Sequence, residues 1–227
     1  MNKKISSDKK VFGINREFFW NKWVLWMGLL ILFAWLFSYM ILIHFVEGGD
    51  VTWFSMLFLY LLGYFFGGFK GMAMAMIFSV IKFSTDRGFG YVDETHMTAE
   101  IIDYIFSYVL VAAGGFFAHP ASPKERKAYL SKYHVGDMKE NYYLIFGYVM
   151  GMIFRYVSSV VNFVMFYQRA ELTFWENLRE GLLYCFGYVG VEMILTLLLL
   201  MIPPVRKAAQ FCKHIATRKY KMAPENI

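Results

Sequence analysis

Residues 51–81 read VTWFSMLFLYLLGYFFGGFKGMAMAMIFSVI. The run is apolar almost throughout, and the fold turns on how often it crosses a membrane. One crossing helix needs about 20 apolar residues to cover a hydrocarbon core of about 30 Å. The run is long for one crossing and short for two. Gly67-Gly68-Phe69-Lys70-Gly71 offers a turn in its middle, because glycine clusters break regular structure. That predicts two short helices, 51–67 and 70–83.

Charge on either side supports the same parity. Further apolar runs lie at 23–46, 98–118, 141–167 and 180–202, the last stopped by Pro203-Pro204, since proline cannot continue a helix. With two helices in 51–81, the segments 1–22, Lys70, 119–140 and 203–227 share one side and hold 18 of the 23 Lys and Arg. The other side holds Lys82, Arg87, Arg169 and Arg179. This asymmetry matches the positive-inside rule. A single helix in 51–81 would put Lys124, Arg126, Lys127, Lys132 and Lys139 outside. The expected fold is an all-α integral membrane protein, a six-helix transmembrane bundle with both termini cytoplasmic. A basic segment precedes it (1–22) and a basic tail follows (203–227). The first apolar run is too long for a signal-peptide core and lacks a small-residue cleavage site, so it reads as a retained span.

Composition agrees. Of 227 residues, 58% are hydrophobic and only 18% charged, less charge than a soluble domain carries. The net charge of +6 is explained by topology and by contact with anionic lipid headgroups, not by nucleic acid. Cys185 and Cys212 are too few for a disulfide framework or a metal site. The chain has no GxxxxGK[ST] loop, no HExxH and no GxSxG, so neither ATP hydrolysis by this chain nor enzymatic activity is expected. No cofactor or metal is expected.

Gly63, Gly67, Gly71, Ala75 and Ser79 recur every four residues. Small residues at that spacing let helices approach closely in lipid; Gly147 and Gly151, and Gly187 and Gly190, read the same way. Asp103, Arg155 and Glu192 fall inside expected spans, at about 2.5–3.5 kcal/mol each for a charge at the helix centre. Two readings stay open: a ligand site, or an ion pair that ties helices together. Depth and spacing favour convergence. Arg155, Ser159, Asn162 and Phe166 share one helical stripe, and Tyr184, Tyr188 and Glu192 another. With Tyr104, Tyr156 and Trp53 they form a candidate ligand-binding set near the outer face. Aromatic walls with a carboxylate suit a flat heteroaromatic, even cationic, ligand. The glycine-bearing loop 84–97 is either a lid or a solvated connector.

The stretch DYIFSYVLVAAGGFF, residues 103–117, resembles helix 4 of the thiamine-binding S component of energy-coupling factor transporters. Arg155-Tyr156 matches that family's basic residue and Tyr in helix 5, and Tyr184 its site Tyr in helix 6. The resemblance covers about residues 50–202 and implies a bacterial plasma-membrane subunit that binds a vitamin from outside. A separate membrane coupling subunit and two ATPases would drive its release. The chain departs from the family pattern where Asp103 replaces Glu, Ser159 replaces His and Val189 replaces Asn. No AxxxA pattern is evident in Trp23–Ala34. Thiamine and a related vitamin or precursor therefore both stay open. So do a structural or scaffolding role in the envelope and a stand-alone transporter coupled to protons through Glu192.

Overall fold

The computed structural model describes residues 22–45, 49–92, 94–118 and 135–217. The basic N-terminal segment before Lys22, Asp93, most of the basic loop after 118 and the tail from 218 onward lie outside the described residues.

The order is α1 (Lys22–Ser38), β1 (Ile41–His44), β2 (Asp50–Thr52), α2 (Ser55–Phe66), α3 (Gly68–Gly88), α4 (Glu94–Phe116), α5 (Met138–Phe166), α6 (Phe174–Met201) and α7 (Pro203–Thr217). The protein is mostly helical, and α4, α5 and α6 are long and apolar enough to cross a membrane. The turn expected in 51–81 is present: Gly67 sits at φ 89° between α2 and α3, a conformation that favours glycine.

Several boundaries differ from the sequence reading. The apolar run from Trp23 is helical only to Ser38; Ile41–His44 instead pairs antiparallel with Asp50–Thr52, with Ile41 opposite Thr52 and His44 opposite Asp50. The alternating β-branched Ile41 and Ile43 suit a strand. A 17-residue helix already covers about 25 Å at about 1.5 Å per residue. At another boundary, α3 continues to Gly88, so Asp86 and Arg87 belong to a helix and not to the loop. α6 also starts early, at a capping box: the Thr173 hydroxyl accepts from the Glu176 N–H and the Glu176 carboxylate accepts from the Thr173 N–H, which satisfies otherwise orphaned groups.

The glycine stripe is buried in helix contacts. A methyl group at Gly63 would strike the carbonyl of Ala112, one at Gly71 would strike Gly63, and one at Gly115 would also strike Gly63. One at Gly114 would meet the Gly147 carbonyl. Backbones thus touch where α2, α3, α4 and α5 cross, as small residues allow in lipid. The core is largely apolar, but so is much of the surface. Leu32 and Leu36 on α1, Val157 and Val161 on α5, and Leu183 and Leu198 on α6 are exposed, whereas Ser107, Ser159, Asn162 and Glu192 are buried.

Helix α7 lies across the end of the bundle opposite the hairpin. Lys213 Nζ stands 2.7 Å from Glu140 Oε1, and the Tyr64 hydroxyl donates to the same oxygen. Gln210 accepts from Gly136 N–H at 2.7 Å and donates to Asn141 at 2.7 Å. Burial pushes the Lys213 ammonium below the usual lysine range, with Glu140 opposing that shift. Removing one member of a buried pair costs about 3–5 kcal/mol, whereas replacing both by apolar groups is far milder. Lys213→Ala should therefore lower stability by that amount in thermal unfolding of detergent-purified protein. Lys213→Met with Glu140→Leu should recover most of it.

Candidate functional site

Two helices carry a wide, π-helical turn at the same level: Asp103–Ser107 in α4 and Phe186–Gly190 in α6. Such turns are rare and concentrate at functional sites. Each inserts a residue into the helical repeat and re-aims the side chains around it.

From the α4 turn, the half-buried Asp103 carboxylate accepts from Ser107 at 2.7 Å and from Ser159 of α5 at 3.2 Å. One turn along α5, the Arg155 guanidinium lies 5.5 Å from the centre of the Tyr108 ring, within cation–π range. Its Nη1 stands 3.4 Å from Glu192 Oε2 on α6. The other Glu192 oxygen accepts from Thr52 Oγ1 at 2.8 Å and from Ser55 Oγ and the Met56 N–H at 3.3 Å each. A continuous polar seam therefore runs from α4 through α5 and α6 to the junction of β2 and α2.

Aromatic rings flank the seam. Tyr184 packs on Phe163 at 5.6 Å and on Tyr188 at 5.6 Å. The hairpin lies over these two tyrosines. Gly49 N–H donates to the Tyr184 hydroxyl at 2.8 Å, and a methyl on Gly49 would come within 2.7 Å of the Tyr188 ring. Among the described residues, Arg155 Nε and Asn162 Oδ1 are buried without a hydrogen-bond partner. A buried polar atom left unpaired costs about 1–3 kcal/mol, so each calls for a partner from a ligand or water.

The ten candidate residues divide. Asp103, Arg155, Ser159 and Glu192 lie in the seam, and Tyr184 and Tyr188 stand beside it under the hairpin. Asn162 lies on the same buried face of α5. Tyr104 points elsewhere: its hydroxyl donates to Asp86 at 2.6 Å. Tyr156 donates to the Leu182 carbonyl at 3.0 Å, in the α5–α6 contact. Trp53 is 44% exposed, its ring against Phe54.

The sequence reading passed over Thr52, Ser55, Ser107 and Tyr108. Ser55 is a helix-start residue type directly ahead of an apolar run, and that could have marked the second of these. It also passed over a second buried cluster. Asp86 accepts from Tyr39 at 2.9 Å, from Lys82 at 2.8 Å and from Tyr104. The spacing of Lys82 and Asp86, one helical turn apart, was the available clue.

A helical bundle with an apolar exterior and a buried polar seam has the build of a membrane protein. The sequence model of the thiamine transporter protein family (Thia_YuaJ) matches residues 24–212, and the chain belongs to that family. The resemblance to thiamine-type S components thus holds at the level of the family. The fold is similar to a solved structure of ThiT from Listeria monocytogenes. The TM-score is 0.56 at 19% identity, over 85% of this chain and 99% of that one. No curated protein matches the chain in sequence.

Proposed function

We propose that this chain is the substrate-binding S component of an ATP-driven energy-coupling factor transporter, with thiamine or a close heteroaromatic relative as its ligand. It crosses a bacterial plasma membrane six times with both termini inside. The vitamin enters from the side of the hairpin, and Asp103, Arg155, Ser159, Asn162, Tyr184 and Tyr188 form the pocket. A membrane coupling subunit and two ATPases complete the transporter, since this chain carries no nucleotide loop.

The observation that supports this most is that two of the three unpaired buried side-chain atoms on α5, a donor at Arg155 and an acceptor at Asn162, lie along the seam's face of the helix, Tyr148 Oη being the third. An aminopyrimidine offers a donor for Asn162, and a positively charged ring suits the excess of one negative charge in Asp103, Arg155 and Glu192 together. Tyr184, Tyr188 and Phe163 supply ring faces for a cation. The hairpin, which lies over Tyr184 and Tyr188, would cover such a ligand, whereas most of 84–97 belongs to α3 and α4.

Calorimetry of purified protein with thiamine tests the reading. We expect high-affinity binding, weakened about 30- to 160-fold by Asp103→Asn, the worth of a charged contact of roughly 2–3 kcal/mol. No binding of thiamine, riboflavin, pyridoxine or folate by folded protein would sink it.

A further inference from the structure

We propose that Glu192 is a positioning residue: a clasp that fixes the base of the hairpin and sets how long a ligand stays, without touching it. The inference rests on the pocket reading above, but its structural half stands alone.

Helix α2 begins badly by itself. Its N-cap is Phe54, with no side-chain cap and a left-handed backbone at φ 56°. A non-glycine residue there is uncommon and strained. The first N–H groups of a helix have no partner within it. Glu192 reaches across from α6 to supply one: its Oε1 accepts from the Met56 N–H at 3.3 Å. A carboxylate at that end is also favoured by the helix dipole. The same oxygen takes the Thr52 hydroxyl at 2.8 Å, and Thr52 and Ser55 lie 2.5 Å apart. Thr52 is the last residue of β2 and pairs with Ile41 of β1. Glu192 therefore holds strand end, strained residue and helix start together.

Its contacts all lie inside the protein. Oε1 faces the Met56 N–H and the Thr52 and Ser55 hydroxyls, which use one of their two hydrogens on each other, and Oε2 faces Arg155 at 3.4 Å; the residue is 1% exposed. A carboxylate so enclosed is poorly placed for a ligand. The hairpin it anchors instead lies on Tyr184 and Tyr188, the ring faces of the pocket. Loosening the base frees the cover.

The test uses full-length protein in detergent. Glu192→Gln and the milder Thr52→Val are compared with wild type by hydrogen–deuterium exchange and by stopped-flow thiamine dissociation. Without ligand, both variants should exchange faster in residues 41–56 and unchanged in α5. With thiamine, both should speed dissociation about tenfold, the effect of one lost hydrogen bond to a charged group, and leave association nearly unaltered. The double variant should be no faster than Glu192→Gln alone. If Thr52→Val leaves exchange and dissociation at wild-type values while Glu192→Gln slows association, Glu192 contacts ligand and the clasp is wrong. Failure of wild-type protein to bind thiamine strikes the functional reading instead; the exchange result then decides the clasp by itself.

Discussion

Arg155→Ala is expected to destabilise the bundle by about 3–5 kcal/mol and to abolish ligand binding. The first half follows from what the arginine leaves behind. Glu192 is almost fully buried and Arg155 is its only cationic partner among the described residues. Deleting one member of such a pair strands the other's charge in a low-dielectric interior, and that desolvation is what the figure measures. The Tyr108 ring loses the guanidinium as well. The second half follows from position. Arg155 is one turn from Ser159 on α5, and Ser159 holds Asp103, so the side chains around a ligand lose their common support. Thermal unfolding in detergent, with and without thiamine, separates the two effects. Arg155→Ala should melt well below wild type and gain nothing from thiamine. Arg155→Met combined with Glu192→Gln, which removes the stranded charge, should recover much of the stability and none of the binding. An unchanged melting point for Arg155→Ala would mean the pair is hydrated and the seam open to water.

The broad fold was legible because hydropathy and glycine spacing act locally. The break at Gly67 is visible in 51–81 since nothing else there can turn the chain. The stripe Gly63, Gly71, Ala75 is visible because close approach in lipid requires small residues at one interval. The hairpin was not legible. Ile41 to His44 is as apolar as the helix before it, and only pairing with Asp50–Thr52 makes it a strand. The site was half legible. Buried charges announce themselves by cost, so Asp103, Arg155 and Glu192 stood out, and the structure brings them into one seam. Uniform helical spacing does not survive the wide turns in α4 and α6. That is one reason Tyr104 turns to Asp86 while its neighbour Asp103 turns to Ser159. Asp86 falls in the expected loop because polar residues end an apolar run; its bond to Lys82 and the Tyr39 and Tyr104 hydroxyls let the helix carry it inside.

The stripe also yields a sharp test of packing. Gly63→Ala should destabilise the protein by roughly 2–3 kcal/mol or more, although alanine is the better helix former by about 1 kcal/mol. The new methyl would run into the Ala112 carbonyl and lie 3.1 Å from Gly115 Cα. Both obstacles are backbone in α4, so no side-chain rotation relieves them. The helices must separate, and α4 carries Asp103 about two and a half turns before Ala112. Thiamine affinity should therefore fall together with stability. Gly28→Ala on α1 is the matched control, because a methyl there meets nothing within 4 Å. It should leave binding unchanged and raise stability by up to about 1 kcal/mol, the gain from helix propensity alone. Equal melting points for the two variants would show that α2 and α4 do not meet at Gly63. Opposite shifts would fix the crossing on which the placement of Asp103 depends.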